Sequence, residues 1–131
     1  MNIAAIRQGL AANLSALTGL QVSPYLLSNP SPPYAMIHAD ETEYDLAMRG
    51  GAHALHFVAT VVVPYSSEVA AQTALDEYRA GARSVKQELE ADRRLGGACE
   101  DLRVESAGPD TFYGEGGIGC EFRVYVLAAD Q

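Results

Sequence analysis

The residues able to do chemistry are few and dispersed. The chain carries three histidines, His38, His53 and His56, and two cysteines, Cys99 and Cys120. His53-Ala54-Leu55-His56 has a spacing that invites a metal reading. It opens an expected strand, however, where residues three apart point to opposite faces. The two imidazoles therefore do not converge on one ion, and His38 could join them only through a tertiary contact. Surface or sheet-edge histidines are the expectation, with no metal and no cofactor.

The remaining candidates fare similarly. Gly114-Glu115-Gly116-Gly117-Ile118-Gly119 has the glycine content of a phosphate-cradling loop. It precedes a strand rather than a helix and lacks Gly-Lys-Ser/Thr, so the helix-dipole half of that mechanism is missing. A flexible glycine-rich link is expected. Asp40, Glu41, Glu43 and Asp45 could form an acid/base pair or hold a cation. They lack the spacing of an EF-hand loop, and no fixed scaffold sets two carboxylates at a working separation. The segment reads as a solvated arm, or as charge presented at a subunit boundary. Neither cysteine has a histidine near it in sequence, and no serine occupies a GxSxG elbow. We expect no enzymatic centre.

The elements that would position these groups suit one domain. A chain of 131 residues can bury a usable core without disulfide or metal staples. Its 48% hydrophobic and 20% charged residues are ordinary globular composition. No apolar run approaches the ~20 residues of a spanning helix, and the N-terminus does not read as a signal peptide. A soluble cytosolic protein with two buried thiols is expected. The net charge of −8 and the scattered basic residues disfavour attractive nucleic-acid binding, which needs clustered lysine and arginine.

Ile3, Ile6, Leu10, Leu14 and Leu17 fall on one helical face, and Gly19 suits the left-handed residue after the last turn. Gln21 to Leu27 reads as extended, with Pro24 weakening the strand or putting it at an edge. A proline-rich turn follows, then a short strand from Tyr34 to His38. Asp40 to Gly51 reads as a polar excursion, a hairpin arm.

Leu55 to Val63 is the strongest strand, apolar on both sides, and it calls for two covers: helices on one face and a neighbouring chain on the other. Ser66 or Ser67 caps a helix with Val69, Thr73 (or Gln72), Leu75 and Tyr78 inward. Ser84-Val85-Lys86-Gln87 opens another, with Val85 and Leu89 inward. Leu102 to Ser106 and the alternating Cys120 to Leu127 complete the strands. The order α-β-β-β-α-α-β-β implies an α+β fold with a mixed, mostly antiparallel sheet and about three helices.

Taken together, these spacings resemble the tail terminator proteins of long-tailed bacteriophages, a group related to the minor tail proteins that cap the tail tube. The likeness runs nearly end to end. It includes the helix from Ile3 to Leu17, Leu20-Gln21-Val22, and Asn29-Pro30-Ser31-Pro32-Pro33-Tyr34-Ala35. It continues through the apolar strand ending at Pro64-Tyr65-Ser66 and through Ala74-Leu75-Asp76-Glu77-Tyr78, Gly81, Ser84-Val85-Lys86 and Leu89-Glu90. Leu95-Gly96-Gly97, Asp101-Leu102-Arg103-Val104 and Gly119-Cys120-Glu121-Phe122-Arg123-Val124 complete it. The Asp40 to Gly51 stretch has no counterpart in it.

The resemblance implies a structural virion protein, made in the host cytoplasm, that forms a homo-oligomeric, hexameric ring at the head-proximal end of the tail. Such a ring stops tube polymerisation, binds the tail tube protein and joins the neck stopper or connector protein, while DNA passes through the lumen without sequence-specific binding. The candidate assembly or lumen residues are Asp40, Glu41, Glu43, Tyr44, Asp45, Arg49, Phe57, Val58 and Val62. Six copies would carry six times the charge of −8, and an acidic lumen would repel DNA within the ~8 Å that salt screening leaves. The alternatives are a neck stopper or other head-tail connector, and a small ligand-binding or enzymatic α+β domain in which His38, His56 and the carboxylates line a pocket.

Overall fold

A computed structural model describes residues 1–28, 30–46, 51–81, 84–114 and 116–129. Asn29, Arg49, Gly50 and Glu115, which figure in the sequence reading, lie outside the described residues. The fold is α+β, and the described residues form a mixed sheet of six strands and three α-helices. In chain order these are α1 (Ile3–Leu14), β1 (Gln21–Ser23), β2 (Tyr34–Glu43), β3 (Ala52–Pro64), α2 (Glu68–Ala80), α3 (Val85–Leu89), β4 (Asp101–Ala107), β5 (Thr111–Phe112) and β6 (Gly117–Ala129). Two short 3-10 turns, Glu90–Asp92 and Leu95–Gly97, link α3 to β4.

The sheet runs β1-β2-β3-β6-β4, with β5 also on β6. Among the described residues only β1, beside β2, is parallel to its neighbour. Its centre is the β3–β6 ladder, paired without a register shift from Ala52↔Ala129 to Pro64↔Gly117. Side chains alternate across a strand, so Leu55, Phe57, Ala59, Val61 and Val63 meet the helices beside Ile118, Cys120, Phe122, Val124 and Val126. All ten lie in one core cluster with residues of α1, α2 and α3.

Local chemistry explains the helices. Asn2 accepts the Ala5 N–H at 3.1 Å to start α1, and Ile6, Leu10, Ala11 and Leu14 are its buried positions. Ser67 accepts the Ala70 N–H at 3.1 Å to start α2, and Ser84 accepts the Gln87 N–H at 3.2 Å to start α3; both are side-chain caps for donors that have no partner inside the helix. One expectation fails here. Val69, read as inward, is 76% exposed, and Gln72 and Thr73 are exposed too. The buried positions of α2 are Ala71, Leu75 and Tyr78, and Val69 precedes Ala71 by two residues, about 200° of helical rotation. The packed face is set by Leu75 and Tyr78, and Val69 falls behind it.

Strand lengths also differ from expectation. β2 runs five residues past His38, so the first part of the expected arm, Asp40 to Glu43, is sheet. The last three residues of the glycine-rich link, Gly117 to Gly119, are sheet as well, because β6 starts at Gly117. A Cβ on Gly119 would lie 2.3 Å from the Val61 carbonyl oxygen, an approach only glycine permits.

The second cover expected for β3 is supplied within the chain. Val58 is 4% and Val62 0% exposed, and Phe57, at 1%, lies in the helix-side core. None of the three offers surface to a neighbour, which corrects their placement at an assembly interface. The physical reason is unequal side-chain length. Val58 lies between His38 of β2 and Arg123 of β6, and an ion pair from Asp40 to Arg123 at 3.2 Å reaches across β3 between them. Val62 lies against Gly119 and Gly117, with Pro32 beside the latter. Among the described residues no helix is long and apolar enough to cross a membrane.

Candidate functional site

The helix-free face of the sheet is where charged groups converge, and two β-bulges put them there. In β2 the pairing passes from Ala39↔Phe57 to Thr42↔Leu55, so Asp40 and Glu41 together oppose His56. In β4 it passes from Val104↔Val124 to Ser106↔Arg123, leaving Glu105 as the extra residue. A bulge re-aims side chains and increases local twist. Here the two bulges bring carboxylates from both flanks toward His56 on the central strand.

His56 Nε2 lies 3.0 Å from Glu43 Oε2, and its Nδ1 lies 3.5 Å from Glu105 Oε1. Its ring meets Tyr125 edge-on at 5.4 Å between centroids, and the Arg103 guanidinium lies 5.7 Å from the Tyr125 ring centre. The hydrogen bond to Glu43 raises the His56 pKa above the ordinary imidazole value. Burial opposes the rise, and the charges of Glu105, Glu43 and Glu41 add to it. The group is a side-chain strap across β2, β3 and β4 whose carboxylates favour the protonated form of the imidazole.

His53 lies on the opposite side of β3, as its spacing from His56 predicts. It is buried, its Nδ1 accepts the Asp45 N–H at 3.0 Å, and Tyr44 packs edge-on against its ring at 5.7 Å. Asp45 adopts a left-handed φ of 53°, a conformation aspartate tolerates. Tyr44 (67%) and Leu46 (46%) are exposed at this end of the β2–β3 hairpin. Of the expected hairpin arm, Asp40 to Glu43 belong to β2, and Tyr44 and Asp45 beyond them are pinned by His53.

At the other end of β2, a groove of about 410 Å³ is lined by Leu27, Pro30, Pro32, Tyr34, Met36 and Tyr113, among others. Burial raises the pKa of both Tyr34 and Tyr113. His38 follows on the same face with a buried Nδ1 that has no hydrogen-bond partner among the described residues. Both cysteines are free and buried, and burial is the leading cause that pushes each thiol up to about 11. They are neutral at physiological pH and lack the thiolate that nucleophilic chemistry needs. Among the described residues no three of His, Cys, Asp and Glu are grouped to hold a metal ion.

Of the residues named from sequence, Asp40, Glu41 and Glu43 come together with His56, while Tyr44 and Asp45 gather around His53. Glu105, Tyr125, Arg103 and Arg123 were missed as partners of this face. Their outward positions in β4 and β6 follow from strand alternation, but the bulges that aim Glu105 leave no mark in the hydrophobic pattern. The chain matches no protein-family profile, and no curated protein matches it significantly.

Proposed function

We propose that this chain is the subunit of a ring at the head-proximal end of a phage tail, where it ends tube growth and joins the tail to the neck. The observation that carries the reading is the helix-free face. It is a broad sheet surface strapped by an ion pair from Asp40 to Arg123 and by side-chain contacts from Glu43 through His56 to Glu105. Such a surface suits contact with large partners better than the enclosed conversion of a small substrate. The sequence resemblance and the acidic charge support the same reading, with the hexamer, the tube protein and the neck connector as its partners and DNA in transit through the lumen.

Imaging of tails assembled with and without the protein tests it. Loss of length control and of head joining in its absence is the expected result; tails of normal length joined to heads would end the reading. Binding to isolated tube ends separates a terminator from a neck stopper, which would bind the portal-side adaptor instead. The groove beside Tyr34 favours one second reading, a small-ligand site. Saturable binding of a metabolite there by a monomer, lost in Tyr34→Ala, would support it.

A further inference from the structure

The two outer edges of the sheet are finished in different ways. At β4, the outward N–H of Val104 is donated to Glu90 Oε2 at 2.9 Å, and the Leu102 carbonyl accepts Arg93 Nε at 3.1 Å. Charged side chains thus occupy the groups that another strand would use, which guards an edge. At the other side, β1 covers only Tyr34, Ala35 and Met36 of β2. The chain leaves the edge at Pro24, which has no N–H, and Ser23 turns back to bind the Tyr25 backbone at 2.8 Å.

Arg7 Nη1 reaches the outward Ile37 carbonyl at 3.5 Å. Backbone alternation turns the Ala39 N–H and C=O outward as well, and Ala39 is exposed. From Ala39 to Glu43 no described strand lies on the outer side of β2. The opening is roughly 16 Å long at ~3.3 Å per residue.

We infer that this edge of β2 accepts an extended, basic segment of a different protein, which adds to the sheet as a further strand. The occupant follows from charge. Exposed Asp40, Glu41 and Glu43 border the opening, and Glu41 stands outside the contacts that tie Asp40 to Arg123 and Glu43 to His56. A second copy would bring the same carboxylates opposite these, and like charges facing across a pair are destabilising. Its β4 edge is already occupied by Glu90 and Arg93. Bulges and carboxylates guard an edge against its own kind, but they leave the backbone groups free for a strand bearing lysine or arginine at alternate positions. Main-chain bonds would supply affinity and the alternating cations specificity. The inference does not depend on the ring reading.

The test measures fluorescence anisotropy of a labelled (Val-Lys)₄ peptide with the full chain. Saturable binding is expected. It should weaken at least tenfold for the same peptide N-methylated at every backbone amide, for (Val-Glu)₄, and for the Glu41→Lys and Ala39→Pro proteins. Proline at Ala39 removes only an outward N–H, so the fold is retained. No binding of (Val-Lys)₄, or equal binding of its N-methylated form, would overturn the inference. So would a dimer in sedimentation that Ala39→Pro dissolves, because the edge would then belong to a second copy.

Discussion

Replacing Gly119 by alanine tests whether the glycine-rich stretch is a link or part of the central ladder. A Cβ at that position would stand 2.3 Å from Val61 O, 2.8 Å from Val62 Cγ2 and 3.0 Å from Val62 Cα. The nearest of these atoms belongs to the backbone of β3, which is paired on both sides, so no flexible side chain can swing away. Overpacking a core costs about 1–3 kcal/mol, and a clash against a central backbone belongs at the upper end.

Stability of about 5–15 kcal/mol for a native domain leaves the variant folded but weakened. With an unfolding entropy of roughly 2.1 cal/mol/K per residue, a loss of about 3 kcal/mol lowers Tm by about 11 °C for a chain of this length. Gly116→Ala is the control, because nothing lies within 4 Å of its added Cβ. It should be neutral, or stabilising by up to about 1 kcal/mol through the unfolded chain. Paired urea melts measure both. If Gly119→Ala stays within about 1 kcal/mol of the parent at unchanged slope, the close approach of β6 to β3 is wrong.

Four further outcomes are expected. Val61→Asp places a carboxylate where exposure is 0% and should cost more than about 4 kcal/mol, enough to abolish soluble folding. Val69→Asp, at a position 76% exposed, should change stability by no more than about 0.5 kcal/mol; circular dichroism of the soluble fraction distinguishes the two. Ser67→Ala removes the α2 cap and should cost about 1 kcal/mol in thermal melts. For His56, the folded pKa is raised, so its contribution is present below the unfolded pKa of about 6.5 and is lost as pH rises through the folded value. Because the His56 and Glu43 side chains are 25% and 49% exposed, that contribution should not exceed about 1 kcal/mol. Glu43→Gln should lower the His56 pKa in an NMR titration, and an unchanged titration would show that the Glu43 contact does not hold the proton.

The sequence by itself determined what depends on local pattern. Period-two alternation identified Cys120 to Leu127 as half-buried strand, and caps at Ser66 or Ser67 and at Ser84 marked two helix starts. The β-branched run through Val61 announced the central strand. Each of these follows from neighbours within a few residues, where backbone preference and side-chain direction act directly. The tertiary structure decided the rest. It placed Phe57, Val58 and Val62 inside the fold, because whether a strand face is covered depends on residues far away in sequence that pack over it. It turned Val69 to solvent, because the buried face of α2 is chosen by where Leu75 and Tyr78 dock. It aimed Glu105 and Glu43 at His56 through two bulges, whose register shifts arise from pairing between strands and have no signature within either strand alone.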